Sequence, residues 1–188
     1  MASAFGGGNN VSNSRATVAG DSANSSAGSE ELSTFISAGY DFHWGHLTIG
    51  PTAALQYSWI NLNGFTETGS VTDLNVSGDS QESLRTDLGF RAWYTFQVGQ
   101  IAIRPFLRAA WDHEYKESAL PVTASLVNIP GTPVTVFGPS LGHDSAIVNA
   151  GVSVAWTPTI STYVSYDGQL GRGNFDSNGV SGGIRISF

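Results

Sequence analysis

The stretch LRTDLGFRAWYTF, residues 84–96, decides how the rest of the chain is read. Leu84, Leu88, Phe90, Ala92, Tyr94 and Phe96 share one parity, and Arg85, Asp87 and Arg91 share the other. Period two marks a strand whose side chains alternate between faces, here an apolar face and a charged one. Upstream, Leu32, Ile36, Ala38, Tyr40, Phe42 and Trp44 stand opposite Ser33, Ser37, Asp41 and His43. In 47–59, Leu47, Ile49, Ala53, Leu55, Tyr57 and Trp59 stand opposite Thr48, Thr52, Gln56 and Ser58. Downstream, Ile101, Ile103, Leu107, Trp111 and Tyr115 oppose Arg104, Arg108, Asp112 and Glu114. Segments 146–156, 160–170 and 180–188 repeat the pattern, with Asp167 and Arg185 on the polar parity of the last two. These are seven strands, and a weaker eighth is predicted at 10–20. Residues 1–30 read as a polar N-terminal segment holding that candidate first strand, and 31–188 as the strands of a barrel.

The connections carry a second signal. Gly45 with its neighbours, QVGQ at 97–100 and TP at 157–158 are tight, whereas about 20–31, 61–81, 116–143 and 171–178 read as long and polar. Short and long alternate, so an up-and-down meander places all short turns at one end and all long loops at the other. Outer-membrane barrels have that layout, with short periplasmic turns and long extracellular loops.

Composition agrees with this class. Only 12% of the 188 residues are charged, and Lys116 is the single lysine, whereas soluble surfaces use many charged side chains. A net charge of −7 argues against nucleic acid as a partner, which needs a basic surface. The absence of cysteine excludes disulfides and thiolate metal sites. No apolar run reaches the ~18 residues of a transmembrane helix. The opening MASAFGGGNN lacks the basic and apolar regions of a signal peptide, which fits a cytoplasmic protein or a mature chain.

Alternation alone also fits a soluble barrel. Three features favour a membrane barrel. The periodic segments run beyond the ~9–11 residues that a tilted transmembrane strand needs. Aromatics sit at both ends of the apolar face: Tyr40, Trp44 and Trp156 by short turns, Tyr57, Trp59, Trp111 and Tyr115 by long loops. Rings at those heights are expected at the two bilayer interfaces. The opposite face mixes Arg85, Asp87, Arg91, Arg104, Arg108, Asp112, Glu114, Asp167 and Arg185 among Ser, Thr and Gly, which suits a wet or salt-bridged lumen. The predicted fold is therefore all-β, an antiparallel up-and-down transmembrane barrel with about eight strands visible. Its polar face fits either a passage for an unfolded polypeptide or a salt-bridge network that only stabilises the barrel.

Several stretches now resemble a known family. GFTETGS at 64–70, ESLRTDLGFRAWYTF at 82–96, IRPFLRAAWDHEY at 103–115 and the terminal IRISF are similar to the autotransporter β-domain, the translocator of type V secretion in Gram-negative bacteria. The resemblance runs over roughly 30–188 and implies an outer-membrane barrel that supports secretion of an N-terminal passenger polypeptide. The family's barrels usually have twelve strands and a pore helix, so this chain reads as the last two-thirds of the domain. In the family a terminal phenylalanine belongs to the signal read by the barrel-assembly machinery, and Phe188 matches it. Outer-membrane lipid, that machinery and the passenger are the implied partners. The alternative is a small barrel acting alone as a pore or scaffold.

No enzymatic role, cofactor or metal is expected. In DHE at 112–114, His113 points away from Asp112 and Glu114 if the segment is a strand, and no Gly-x-Ser-x-Gly elbow occurs. GHDS at 142–145 is the other place where a His-Asp hydrolase would be sought. DLNVSGD at 73–79 opens like a calcium loop but has Leu84 where the twelfth-position Glu belongs, so it reads as a polar loop. The loop 116–143 forms a short hairpin, folds over the mouth or contacts a surface ligand, and the sequence does not choose among these.

Overall fold

The computed structural model describes residues 1–116, 119 and 121–187. In chain order the strands are β1 (Ala2–Ala16), β2 (Ser22–Gly39), β3 (Phe42–Trp44), β4 (Leu47–Leu62), β5 (Phe65–Thr66), β6 (Leu74–Val76), β7 (Asp79–Tyr94), β8 (Phe96–Val98), β9 (Ile101–Glu114), β10 (Pro121–Leu126), β11 (Ile129–Phe137), β12 (Asp144–Ala155), β13 (Ile160–Arg172) and β14 (Phe175–Ile186). Eight long strands form one antiparallel meander, β1-β2-β4-β7-β9-β12-β13-β14, with β3 continuing alongside β4 and β8 alongside β9. The long strands run from 12 to 18 residues, enough to cross a bilayer at a tilt. β1 and β14 do not pair with each other, so the strands make an open barrel wall. The architecture is all-β and up-and-down.

Burial is inverted relative to a soluble protein. Leu88, Phe90, Leu107, Trp111, Val164 and Ile184 are exposed, while Thr48, Asp112, Glu114, Ser145 and Ser165 are buried. The apolar parity is the outer face and the polar parity the inner one. Within lipid every backbone N–H and C=O must find a partner inside the protein, and the continuous ladders from β1 to β14 supply them. At the short-turn end, the chain reverses between β3 and β4 and between β8 and β9 through Gly45 (φ 59°) and Gly99 (φ 64°), where a left-handed backbone favours glycine.

Two expected long loops are absent. The segment around 20–31 is mostly strand: β1 and β2 meet across Thr17–Asp21, with Ala16 opposite Ser22. The segment 171–178 is likewise a tight turn, with Arg172 opposite Phe175. The first strand spans Ala2–Ala16 rather than 10–20. In these stretches the outward parity is polar or small, as in Asn24, Ser26 and Gly28 of β2 or Gly6 and Gly8 of β1, and the scattered Phe5 and Val11 share the other parity with Asn9, Asn13 and Arg15, so strand pairing leaves no apolar period to read.

The two remaining long loops fold together. The second holds a β10–β11 hairpin, and β10 pairs with β6 of the first, giving a small sheet in the order β11-β10-β6-β5. The stretch that resembled a calcium loop contributes β6. A bridge between Asn24 and Thr68 fastens this sheet to β2. Beneath it lies an apolar pocket of about 390 Å³, lined by Val11, Ala27, Leu62, Phe65, Val76 and Val122 among others.

Candidate functional site: the polar inner face

The inner face is built by register. Across β7 and β9, Arg85 stands opposite Glu114, Asp87 opposite Asp112, and Arg91 opposite Arg108. Two of these three direct pairs carry like charges, which repel. The ion pairs therefore run diagonally: Arg85 Nη2 donates to Asp112 Oδ1 at 2.6 Å, and Arg108 Nη2 to Asp87 Oδ2 at 3.4 Å. Arg91 finds its carboxylate elsewhere. Its Nε and Nη2 donate to the two oxygens of Asp41, at 2.9 Å each.

Asp41 reaches Arg91 because the chain bends between β2 and β3. There the Tyr40 carbonyl oxygen lies 1.7 Å from where a Cβ on Gly50 would stand. A glycine at position 50 is thus what lets the Tyr40–Asp41 segment tuck against β4.

Asp112 is the most buried large side chain, at 2% exposure. Besides Arg85 it accepts from Ser145 Oγ at 3.0 Å, and Gln169 Nε2 donates to the same Ser145 oxygen at 2.9 Å. Glu114, also buried, accepts from the Leu84 amide at 2.9 Å and the Lys116 amide at 3.0 Å. This network links β7, β9, β12 and β13 across the inner face. Asp167 lies on the same face and accepts from Asn149 Nδ2. Arg104 and Arg185 are exposed there and make no ion pair among the described residues.

The outer aromatics gather into two groups. By the short turns, Tyr40 meets Phe42 edge-on at 4.9 Å, Phe42 stacks on Trp44 at 5.9 Å, and Trp156 lies exposed beside the turn to β13. By the long loops, the His113 ring lies 5.2 Å from Trp111 and 4.6 Å from Tyr115. Tyr57 donates to Glu82 Oε1 at 3.0 Å, which also pairs with Lys116. Trp59, half-buried, stands opposite Leu32 and Glu82. His113 and Asp112 project to opposite faces. His113 pairs instead with Asp144 at 2.9 Å, an oxygen that also accepts from Trp111 Nε1 at 2.8 Å. The Phe188 reading lies outside the described residues.

Sequence reasoning missed one clamp. In the first long loop, buried Glu67 accepts from Arg15 Nε at 3.1 Å, from Arg15 Nη2 at 2.6 Å and from the Leu74 amide at 3.0 Å. The Arg15 hydrogen bonds hold the Glu67 carboxyl below the usual carboxylate range. Nearby, Asp21 is lowered by hydrogen bonds from the Thr17 and Ser70 hydroxyls. Asp41 was visible on the polar parity of its segment, but nothing local indicated that it partners Arg91. Glu67 lies in GFTETGS, a stretch that carries the family resemblance but has no period, so nothing there indicated its pairing with Arg15.

An apolar outer face, a polar and ion-paired inner face, and an antiparallel meander with long loops at one end define an outer-membrane β-barrel domain. Comparison with known families makes this specific. Residues 1–167 match the model of the autotransporter β-domain, and the chain belongs to that family. The match includes the N-terminal 30 residues that sequence reasoning had left outside the resemblance. The chain is also similar to the protein named Outer membrane protein A of Rickettsia rickettsii, 27% identical over 175 residues, and to that of Rickettsia conorii, 26% identical over the same length. In each case the alignment covers 92% of this chain and 8% of the relative's length. The domain is an autotransporter translocator barrel of the bacterial outer membrane.

Proposed function

We propose that the domain supports secretion of a passenger polypeptide carried N-terminal to it in the same polypeptide. The carrying observation is the inner face, a wall of ion-paired charges with Ser, Thr and Gly between them, which keeps a wet lumen for an unfolded chain although Phe35, Trp93, Phe106 and Tyr163 share it. This reading requires no catalytic group. The His113–Asp144 pair belongs to the aromatic group on the outer face, which is consistent with an anchoring role at the membrane interface. Lipid contacts the outer face, and the barrel-assembly machinery reads the C-terminal strand.

The test is a fusion of a reporter passenger, upstream of the domain, expressed with an export signal. The expected result is reporter that external protease digests on intact cells. Reporter that stays in the periplasm, while the barrel itself is inserted and heat-modifiable, would overturn the secretion reading. A second reading, a stabilising role for the inner-face charges, is favoured by the burial of Asp112 and Glu114. It predicts barrel destabilisation without a change in secretion by the barrels that do insert.

A further inference from the structure

We propose that the inner face near the short turns is a docking surface for an acidic, extended segment of the passing polypeptide. The proposal rests on the secretion reading and adds the chemistry of what is held. Charge along the inner face is graded. Towards the long loops it carries the buried acids Asp112 and Glu114, which outnumber the one arginine between them, Arg85. Towards the short turns it carries Arg91, Arg104, Arg108 and Arg185, although the whole chain has a net charge of −7.

Cross-strand rows locate this change. Arg91 and Arg108 face each other directly and border one depression of about 580 Å³ together with Phe35, Ser37 and Thr52. Their carboxylates, Asp41 and Asp87, come from neighbouring positions. Asp167 stands in the Arg108 row, beyond Asn149. Closer to the short turns the acids stop. Arg104 shares its row with Ser153, Tyr163 and Gly183, and Arg185 shares its row with Ser161, Ala155 and Ala102. Both guanidinium groups belong to exposed residues and face solvent with no ion pair among the described residues.

Charge complementarity selects the occupant. A guanidinium binds a carboxylate through two parallel hydrogen bonds, and Asp41 already holds Arg91 in this manner. Arg104 and Arg185 are separated by three strand spacings and two residues along the strand, roughly 15 Å, the length of four to five extended residues. A peptide with carboxylates at that interval reaches both arginines at once. Trp93, Phe106 and Tyr163 on the same face flank the path with ring surface.

The test uses the whole chain folded in zwitterionic detergent micelles, with folding checked by circular dichroism. Fluorescein-labelled Ser/Gly peptides carrying Glu, Gln or Lys at every fourth position are titrated by anisotropy at low salt. The Glu peptide is expected to bind about tenfold or more tighter than the Gln peptide and to weaken with added salt. The Lys peptide is expected not to bind. The double variant Arg104→Gln with Arg185→Gln should lose about tenfold for the Glu peptide, while Arg104→Lys with Arg185→Lys should lose less, keeping the preference for Glu over Gln through its charge but not the two-bond geometry of the guanidinium. Arg104→Glu with Arg185→Glu should reverse the preference toward Lys. Equal binding of Glu and Gln peptides, or an unchanged preference after reversal, would overturn the proposal. Peptide selectivity without secretion of the reporter would remove the secretion reading alone, and secretion without selectivity would remove this proposal alone.

Discussion

Asp112 offers the sharpest test of the inner-face network. It is 2% exposed and accepts one charged hydrogen bond from Arg85 and one from Ser145. Breaking a buried ion pair by removing one partner costs about 3–5 kcal/mol. Two features reduce that figure. The Arg85 side chain is 24% exposed and stands 3.9 Å from Glu114, so it keeps water and a second carboxylate. Asp87, directly opposite Asp112, is relieved of a like-charged neighbour. The expected net loss for Asp112→Ala is about 2 kcal/mol, or roughly a thirtyfold shift in the folding equilibrium. Replacing both partners by apolar residues, Asp112→Leu with Arg85→Met, should recover part of that loss, because the pair leaves together, while Glu114 keeps the Leu84 and Lys116 amides as donors in place of Arg85. The assay is denaturant unfolding of the chain in lipid vesicles, followed by its five tryptophans. The reasoning is refuted if Asp112→Ala is neutral, or if the double variant is as unstable as the two single losses added together.

Further outcomes are expected elsewhere. Val164→Arg should cost about 2–4 kcal/mol in vesicles because Val164 faces lipid, whereas Ser153→Arg on the inner face should cost under about 1 kcal/mol; the reverse order would invert the face assignment. Gly50→Ala puts a methyl group against the Tyr40 carbonyl and should destabilise by about 1–3 kcal/mol in the same unfolding assay. Gly179→Ala, whose nearest neighbour lies at 3.8 Å, should change stability by less than about 0.5 kcal/mol. Because Arg15 lowers the Glu67 pKa in the folded state, the clamp is fully present above the ordinary carboxylate pKa and is lost as pH falls through the lowered value. Hydrogen exchange at the Leu74 amide should therefore gain protection lost on acidification when pH is raised again, and Glu67→Gln should flatten that dependence. Deleting Phe188 should impair insertion in cells more than refolding into detergent, and equal impairment of both would argue against an assembly-signal role.

Seven segments could be read as strands from alternation because lipid on one side and a polar lumen on the other impose opposite demands on successive residues. Leu88 beside Asp87 and Ile184 beside Arg185 show that demand within two positions. Where the outward face is polar or small the demand disappears. The upper part of β2, most of β1 and the start of β14 are paired by backbone hydrogen bonds that leave no mark on side-chain choice. The loop sheet was illegible for a different reason. β6 has three residues, and its partner β10 begins 45 residues later at Pro121, so the pairing comes from chain reversal and has no local period. Of the three readings the sequence allows for 116–143, the hairpin is the one observed, and its union with the other loop has no sequence signal.

The same division holds for the inner face. Alternation by itself determined that Arg85, Arg91, Arg104, Arg108, Asp112 and Glu114 share a face, because parity depends only on backbone geometry. Which charge meets which was decided by register. A shift of two residues between β7 and β9 would preserve every side-chain face and change every ion pair between those two strands. Only the assembled sheet places Asp87 opposite Asp112 and Arg91 opposite Arg108, sends their partners to diagonals and to Asp41, and gives Arg104 and Arg185 no carboxylate among the described residues. The physical reason is that a strand's own sequence sets its faces, whereas the alignment of one strand against the next is set by turns, bends and loops distributed along the whole chain.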